Sequence, residues 1–290
     1  MENSLIRKKR RLGESLVYGL IYFSAAVSVL LLIGIIGYVF VKGIRSVTPE
    51  FLTRATSAID GTTGIAGNII NTLYVVLITL IIATPVGVGS AIYLNEYARP
   101  GRFVRMIEFT TETLAGIPSI IFGLFGMVFF GTTLRLGYSI LTGALTMTLM
   151  ILPLITRNTQ EALKTVPDSY RNGAAGLGAP KWHMIRTILL PSAMPGIITG
   201  VILAVGRIVG ESAALLFTAG SGYLLPKTAA GFAHKILESG GTLTIQLYLS
   251  MSKGEYAVAF GIAVVLLVIV LGINVLTRVL ARRFENGHRV

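Results

Sequence analysis

Long apolar runs separated by short polar segments organise this chain. Uninterrupted or nearly uninterrupted apolar stretches lie at 17–41, 69–94, 114–131, 136–156, 194–219 and 256–280. Each approaches or exceeds the ~20 residues a helix needs to cross ~30 Å of hydrocarbon, so the pattern predicts six membrane-spanning helices. The tightest junction is between the third and fourth, a hairpin from Gly131 to Gly137 around Arg135. Within the spans, Pro85, Pro153 and the Gly116-x-Pro118-Ser119 stretch free backbone groups that neighbours or water must satisfy. They read as tolerated kinks with small-residue packing, or as hinges and pathway lining.

Composition makes the same demand as the pattern. With 53% hydrophobic residues, 13% charged residues and a mean hydropathy of +0.75 over 290 positions, the chain carries more apolar surface than one soluble core buries. The first run follows Arg7-Lys8-Lys9-Arg10-Arg11 but outlasts the ~7–15 residues of a secretory h-region, so it reads as a retained signal-anchor. With the N-terminus inside, 17 Lys and Arg fall on the cytoplasmic side and 7 on the other, Arg207 lying within a span. That bias puts both termini in the cytoplasm. The net charge of +12 is then matched by anionic lipid headgroups, and no nucleic acid is needed to explain it.

The domain plan follows. A basic N-terminus (1–16) precedes the first span (17–41) and an external loop (42–68). A transmembrane core (69–280) contains a cytoplasmic loop at 157–193, and a cytoplasmic tail closes the chain at 281–290. A second external loop covers about 220–255, where Gly220-Ser221-Gly222, Pro226 and Gly240-Gly241 are loop signals.

Several chemistries are excluded or disfavoured. There are no cysteines, and His183, His234 and His288 are too dispersed for a local metal motif, so no metal site is expected. None of the eight lysines follows a glycine, which rules out a Walker A loop in this chain. Gly87-x-Gly89 sits inside an apolar span and reads as a close helix contact, not a dinucleotide fingerprint.

The 157–193 loop has readable local chemistry. Thr165 offers a capping hydroxyl, Pro167 suits a first turn, and Asp168 favours the positive end of a helix dipole. Gly173, Gly176 and Gly178, followed by Ala179-Pro180, keep the helix short and leave a surface that another protein can approach closely. Lys181-Trp182-His183 to Arg186 reads as an amphipathic return, with Trp182 at headgroup level.

The order Asn172-Gly173-Ala174, Gly178, then Ile188-x-Leu190-Pro191 resembles the EAA loop of ABC-transporter permeases. Asn172 stands where that loop usually has Glu, and the upstream Glu161-Ala162 pair fails the spacing to Gly178. Three further stretches make the likeness specific: Tyr93-Leu94-Asn95-Glu96-Tyr97, Leu114 to Gly126, and Gly210-Glu211-Ser212-Ala213-Ala214-Leu215-Leu216. Together they are similar to permeases of phosphate-specific ABC importers over about 68–280. The resemblance implies an all-α type I importer permease fold with a cytoplasmic coupling helix, in a bacterial inner membrane. It implies as partners a second, different permease subunit, two ATPase subunits and an external phosphate-binding protein. This chain would be no enzyme and hold no cofactor, ATP and magnesium belonging to the ATPases. Asn172, Gly173, Ala174, Gly178, Ile188, Leu190 and Pro191 would be the residues coupled to the ATPase.

Arg207 and Glu211 are the candidate substrate-path residues. An ionisable group near a bilayer centre costs ~2.5–3.5 kcal/mol on insertion scales, so its presence asks for a reason. The i, i+4 spacing puts both on one helix face with Gly200, Ala204, Ala214 and Thr218. Gly206-x-x-x-Gly210 on the adjacent stripe suggests close packing to another helix. Thirteen residues beyond Met194, at ~1.5 Å each, place Arg207 past the midplane toward the outside. Arg207 either meets a phosphate oxyanion or forms a permanent structural pair with Glu211. A permease for another oxyanion, an ATP-independent transporter or channel, and a membrane-bound regulatory partner of a transporter are the competing functions.

Overall fold

Backbone groups in hydrocarbon must be satisfied within their own segment, which is why the apolar runs become helices. The computed structural model describes residues 12–57, 62–225, 231 and 234–287. The basic run Arg7–Arg11, Pro226, Lys227, His288 and Arg289 lie outside the described residues. α1 (Leu12–Gly43) leads through a short helix α2 (Pro49–Thr53) and a β-hairpin, β1 (Ala55–Ser57) against β2 (Thr62–Ile65), into α3 (Ala66–Ile92). α3 widens into a π-helical turn at Tyr93–Tyr97. Then come α4 (Arg102–Ala115), α5 (Ser119–Gly126) with a π-helical extension to Thr133, and α6 (Ile140–Lys164). The polar loop holds α7 (Asp168–Gly176) and α8 (Lys181–Met184), and a π-helical stretch leads into α9 (Leu190–Gly210). α10 (Ala213–Thr218), α11 (Leu243–Ser252) and α12 (Tyr256–Gly287) complete the chain.

Among the described residues, five helices are long and apolar enough to cross a membrane, or six if a pair bent at a short break is counted as one span. The predicted third span, 114–131, falls on the second arm of that pair, α5 with its extension, and takes in only the last two residues of α4. α4 ends at Ala115, and Gly116 to Pro118 turns the chain by 101° into α5. Pro118 cannot donate a helical hydrogen bond, and it biases the residue before it away from helical geometry. The predicted hairpin is present, with Arg135 (φ 58°) and Gly137 (φ 60°) both left-handed. α6 starts at Ile140, later than the predicted 136, because Ser139 caps it by accepting from the Thr142 amide at 3.1 Å. The predicted fifth span, 194–219, is also two helices, broken at Glu211-Ser212. Pro85 and Pro153 break nothing, since α3 and α6 run through them.

The second external loop is likewise only partly loop. α11 folds back into the bundle, where Leu243 and Ile245 are buried and the Thr72 hydroxyl accepts from the Leu243 amide at 3.0 Å.

α6 packs most extensively on α3 and α9. Their shared core includes Val75, Met147, Ile151, Ile155, Ala204 and Ile208. Glycine sets the closest approaches. A Cβ at Gly196 would stand 2.6 Å from Ala162 Cβ, and one at Gly200 2.6 Å from Asn158 Cβ, so α6 and α9 are antiparallel and nearly touching there. Gly87, expected to mark a helix contact, meets Ile155 Cγ2 at 2.8 Å in the same sense. A Cβ at Gly206 or Gly210 would meet nothing within 4 Å, so the close packing suggested for that pair is not made among the described residues.

Candidate functional site

The polar loop is built on the C-terminal end of α6. Thr165 does not cap α7 as its sequence suggested. It ends α6, and its hydroxyl donates to the Ala162 carbonyl at 2.8 Å. Pro167 holds the cap position in an extended conformation (φ −57°, ψ 142°), and Asp168 is the first helical residue. α7 stops at Gly176. Gly178 then turns left-handed (φ 74°), and the Ala179 amide returns to the Ala174 carbonyl at 3.0 Å, a closure that glycine makes without Cβ strain.

Exposure divides the seven residues read as the coupling set. Asn172, Gly173 and Gly178 are exposed, and a Cβ at either glycine meets nothing within 4 Å. Ala174 is only 5% exposed and turned inward against Leu163, Val166, Met184 and Ile185. Ile188, Leu190 and Pro191 are part-buried, the first two packed on that same small core. These four support the loop from within and present little to another protein. The sequence reading missed Leu177. At 90% exposure on the tip of the loop, it is an apolar side chain that nothing among the described residues covers. Its signal was present as the lone large aliphatic residue in a run of small ones. Tyr170 and Trp182 are also exposed.

The loop is also tied to α3. A π-helical turn there brings Glu96 to Arg171, with a nitrogen to oxygen distance of 3.0 Å. Sequence reasoning did not find this pair, whose members are 75 residues apart.

Arg207 and Glu211 do not share a helix face. α9 ends at Gly210, and Glu211 is extended (ψ 127°). The Glu211 carboxylate accepts from the Ala214 amide at 3.1 Å, and its carbonyl accepts from the Thr244 hydroxyl at 2.7 Å. Among the described residues no ion pair joins it to Arg207. The α6–α9 register carries Arg207 to the level of Ile151, near the middle of α6 and less far along than counting from Met194 implied. The guanidinium is exposed and lines a cavity of about 300 Å³ with Thr111, Glu112, Arg157, Asn158 and Glu161. Arg157 donates to Glu112 at 2.8 Å across this cavity. A second cavity of about 340 Å³ continues past the same four groups, Thr111, Glu112, Arg157 and Glu161, to Arg105, Glu108 and Lys164. The result is a recess of mixed charge, in which Arg105, Arg157, Lys164 and Arg207 alternate with Glu108, Glu112 and Glu161, and Arg157 and Lys164 are already paired with Glu112 and Glu161. Among the described residues no cluster could hold a metal ion.

Comparison with known proteins adds the following. A model of the family described as binding-protein-dependent transport system inner membrane component matches residues 83–286. The probable ABC transporter permease protein YqgI of Bacillus subtilis (strain 168) is 38% identical over 211 residues, covering 73% of this chain and 72% of its own. The phosphate transport system permease protein PstA of Haemophilus influenzae is 36% identical over 216 residues, covering 74% of this chain and 76% of its own. That of Mycobacterium leprae is 30% identical over 295 residues, covering 98% and 94%. Among solved structures, a permease chain of the inward-facing MetNI methionine ABC transporter superposes with a TM-score of 0.59 at 21% identity, covering 76% of this chain and 94% of its own. A chain of a bacterial alginate ABC transporter reaches 0.65 at 13% identity, covering 94% and 98%. At these identities the structural likeness speaks for the fold.

Proposed function

We propose, from the premise that this chain belongs to the binding-protein-dependent transport system inner membrane component family, that it is one permease half of an ATP-driven importer of inorganic phosphate. The observation that carries the reading is the loop at 168–178. A short helix presents backbone and methyl surface on one side and ends in the uncovered Leu177. Such a surface fits a cleft in a partner ATPase, with Leu177 as the buried anchor of the contact. ATP and magnesium are held by two such ATPase subunits, since no lysine here follows a glycine. Closure of the ATPases on ATP supplies the free-energy difference between inward-open and outward-open states.

The other partners are a second permease, which completes the path, and an external phosphate-binding protein that docks on the 43–68 and 220–242 segments. The assembly sits in the bacterial inner membrane with both termini cytoplasmic. The substrate choice rests on the phosphate permeases among the relatives and on Arg207, whose planar fork suits phosphate oxygens in the recess.

The test is uptake of labelled phosphate by the assembled transporter. Gly173→Trp is a cleaner probe of the docking surface than Gly178→Trp, because Gly178 is left-handed and any side chain there strains the backbone. Gly173→Trp and Leu177→Asp should each leave the chain inserted, and should lose both co-purifying ATPase and uptake. Wild-type uptake by both variants would sink the assignment.

A further inference from the structure

We infer that Glu96 and Arg171 form a strut that makes the coupling helix and the inner end of α3 one mechanical unit, passing ATPase motion into the spans. The inference rests on the reading of α7 as the ATPase docking element.

The connection begins where α3 widens. In the π-helical turn at Tyr93–Tyr97 the Glu96 side chain is 5% exposed, and that of Arg171 is 20% exposed. One Arg171 terminal nitrogen donates to Glu96 Oε1 at 3.0 Å and to the Leu163 carbonyl at 3.0 Å. The other donates to the Val166 carbonyl at 2.8 Å and to Asp168 Oδ1 at 3.1 Å. The Asn95 amide donates to the same Glu96 oxygen at 2.7 Å. Leu163 and Val166 lie where α6 ends, and the Leu163 carbonyl accepts there from the Val166 amide at 3.3 Å as well. A single planar guanidinium therefore joins the end of α3, the end of α6 and the start of α7. A lysine ammonium would be a point charge without that fork. Alongside, the Lys181 ammonium lies 5.0 Å from the Tyr97 ring centroid, tying the start of α8 to the same turn.

The rest of α7 offers little grip. Ala174 is its one buried residue, and a methyl contact resists compression but hardly resists being pulled away. Charge-assisted hydrogen bonds resist separation, and most sharply where solvent is excluded. When an ATPase draws α7 sideways or outward, Arg171 is the link that loads α3. α3 in turn packs along α6, so the displacement reaches the central core.

The experiment uses the complete transporter in proteoliposomes. The double variant Glu96→Gln with Arg171→Gln removes both charges together, so no unpaired buried carboxylate remains to unfold the loop. It should retain co-purifying ATPase and near wild-type basal ATP hydrolysis, while phosphate moved per ATP falls about tenfold, within the range of coupling carried by residues away from either ligand. Arg171→Lys should be intermediate. Glu96→Cys with Arg171→Cys, in an otherwise cysteine-free chain, should behave like the double glutamine variant when reduced. It should regain transport per ATP when bridged by a short bifunctional thiol reagent. Wild-type transport per ATP in the double glutamine variant overturns the inference. So does a bridged cysteine variant that stays uncoupled, or loss of ATPase from the double glutamine variant, which would make the pair a docking or folding element. If instead Leu177→Asp keeps both its ATPase and its uptake, the docking assignment fails, a result separate from all of these.

Discussion

Arg207 reaches the recess without a carboxylate partner from Glu211, and that changes what its replacement should do. Arg207→Gln should abolish phosphate uptake with normal assembly, and Arg207→Lys should keep part of it, read as labelled uptake against chain abundance. Adding Glu211→Gln should not restore the Arg207→Gln variant, because no pair is there to relieve. Glu211→Gln alone should stay near wild type, since its amide oxygen still accepts from the Ala214 amide. Glu211→Ala removes that cap and costs about 1 kcal/mol at the start of α10. In the segment between α10 and α11, hydrogen bonds from His234 and then Lys235 hold the Glu238 carboxyl below its ordinary 4.5. A depressed carboxylate stabilises the fold above its unfolded value and loses that contribution as pH falls through the lower folded value. Pepsin cleavage near 234–241 should therefore rise only below pH 4.5, and Glu238→Gln should show no such step.

Helix–helix spacing is decided by which glycines face a neighbour. Gly196→Leu or Gly200→Leu must push α9 off α6 and should cost about 1–3 kcal/mol, seen as a lower unfolding temperature of the purified chain. The same change at Gly206 or Gly210 should leave the isolated chain's unfolding temperature unchanged, because among the described residues nothing lies within 4 Å of a Cβ there. From sequence, Gly206-x-x-x-Gly210 and Gly196-x-x-x-Gly200 carry the same motif. Only the partner helix distinguishes them. The coupling loop was legible as an element from Pro167, Asp168 and the run of small residues, yet its inward and outward faces were not. Ala174 and Gly173 are neighbours of similar size, and the rotation of α7 on its support buries one and exposes the other.

For the whole molecule, contacts sort the loops into two ends. Gly43 lies against Phe260, Gly67 against Tyr223, and Gly240 against Ile140, which gathers the described residues of the 43–57, 62–68, 220–225 and 234–242 segments at one end. Glu96 with Arg171, Glu112 with Arg157, and Tyr97 with Lys181 gather at the other. This grouping fits the division of 17 basic residues against 7. Reporter fusions after Gly43 and Ser221 should report outside, and those after Asn95, Thr165 and Val290 inside. A cytoplasmic signal at Ser221 would overturn the arrangement.

The sequence by itself determined the long apolar helices and the short polar helix with its glycine turn at 168–178, but not the bounds 157–193, since α6 runs to Lys164 and α9 begins at Leu190. Apolar length, charge bias and turn chemistry are local properties, and hydrocarbon leaves a spanning backbone few choices. Only the tertiary structure decided where continuous apolar text is broken. The turn at Gly116 to Pro118 and the stop after Gly210 both lie inside apolar runs that read as single spans, and the Thr244 hydroxyl from α11 meets the Glu211 carbonyl at the second break. The same holds for the partners of charge. Glu211 is claimed by the Ala214 amide, and Arg171 by a carboxylate 75 residues away, because polar groups bond to what packing brings within reach, whatever their spacing along the chain.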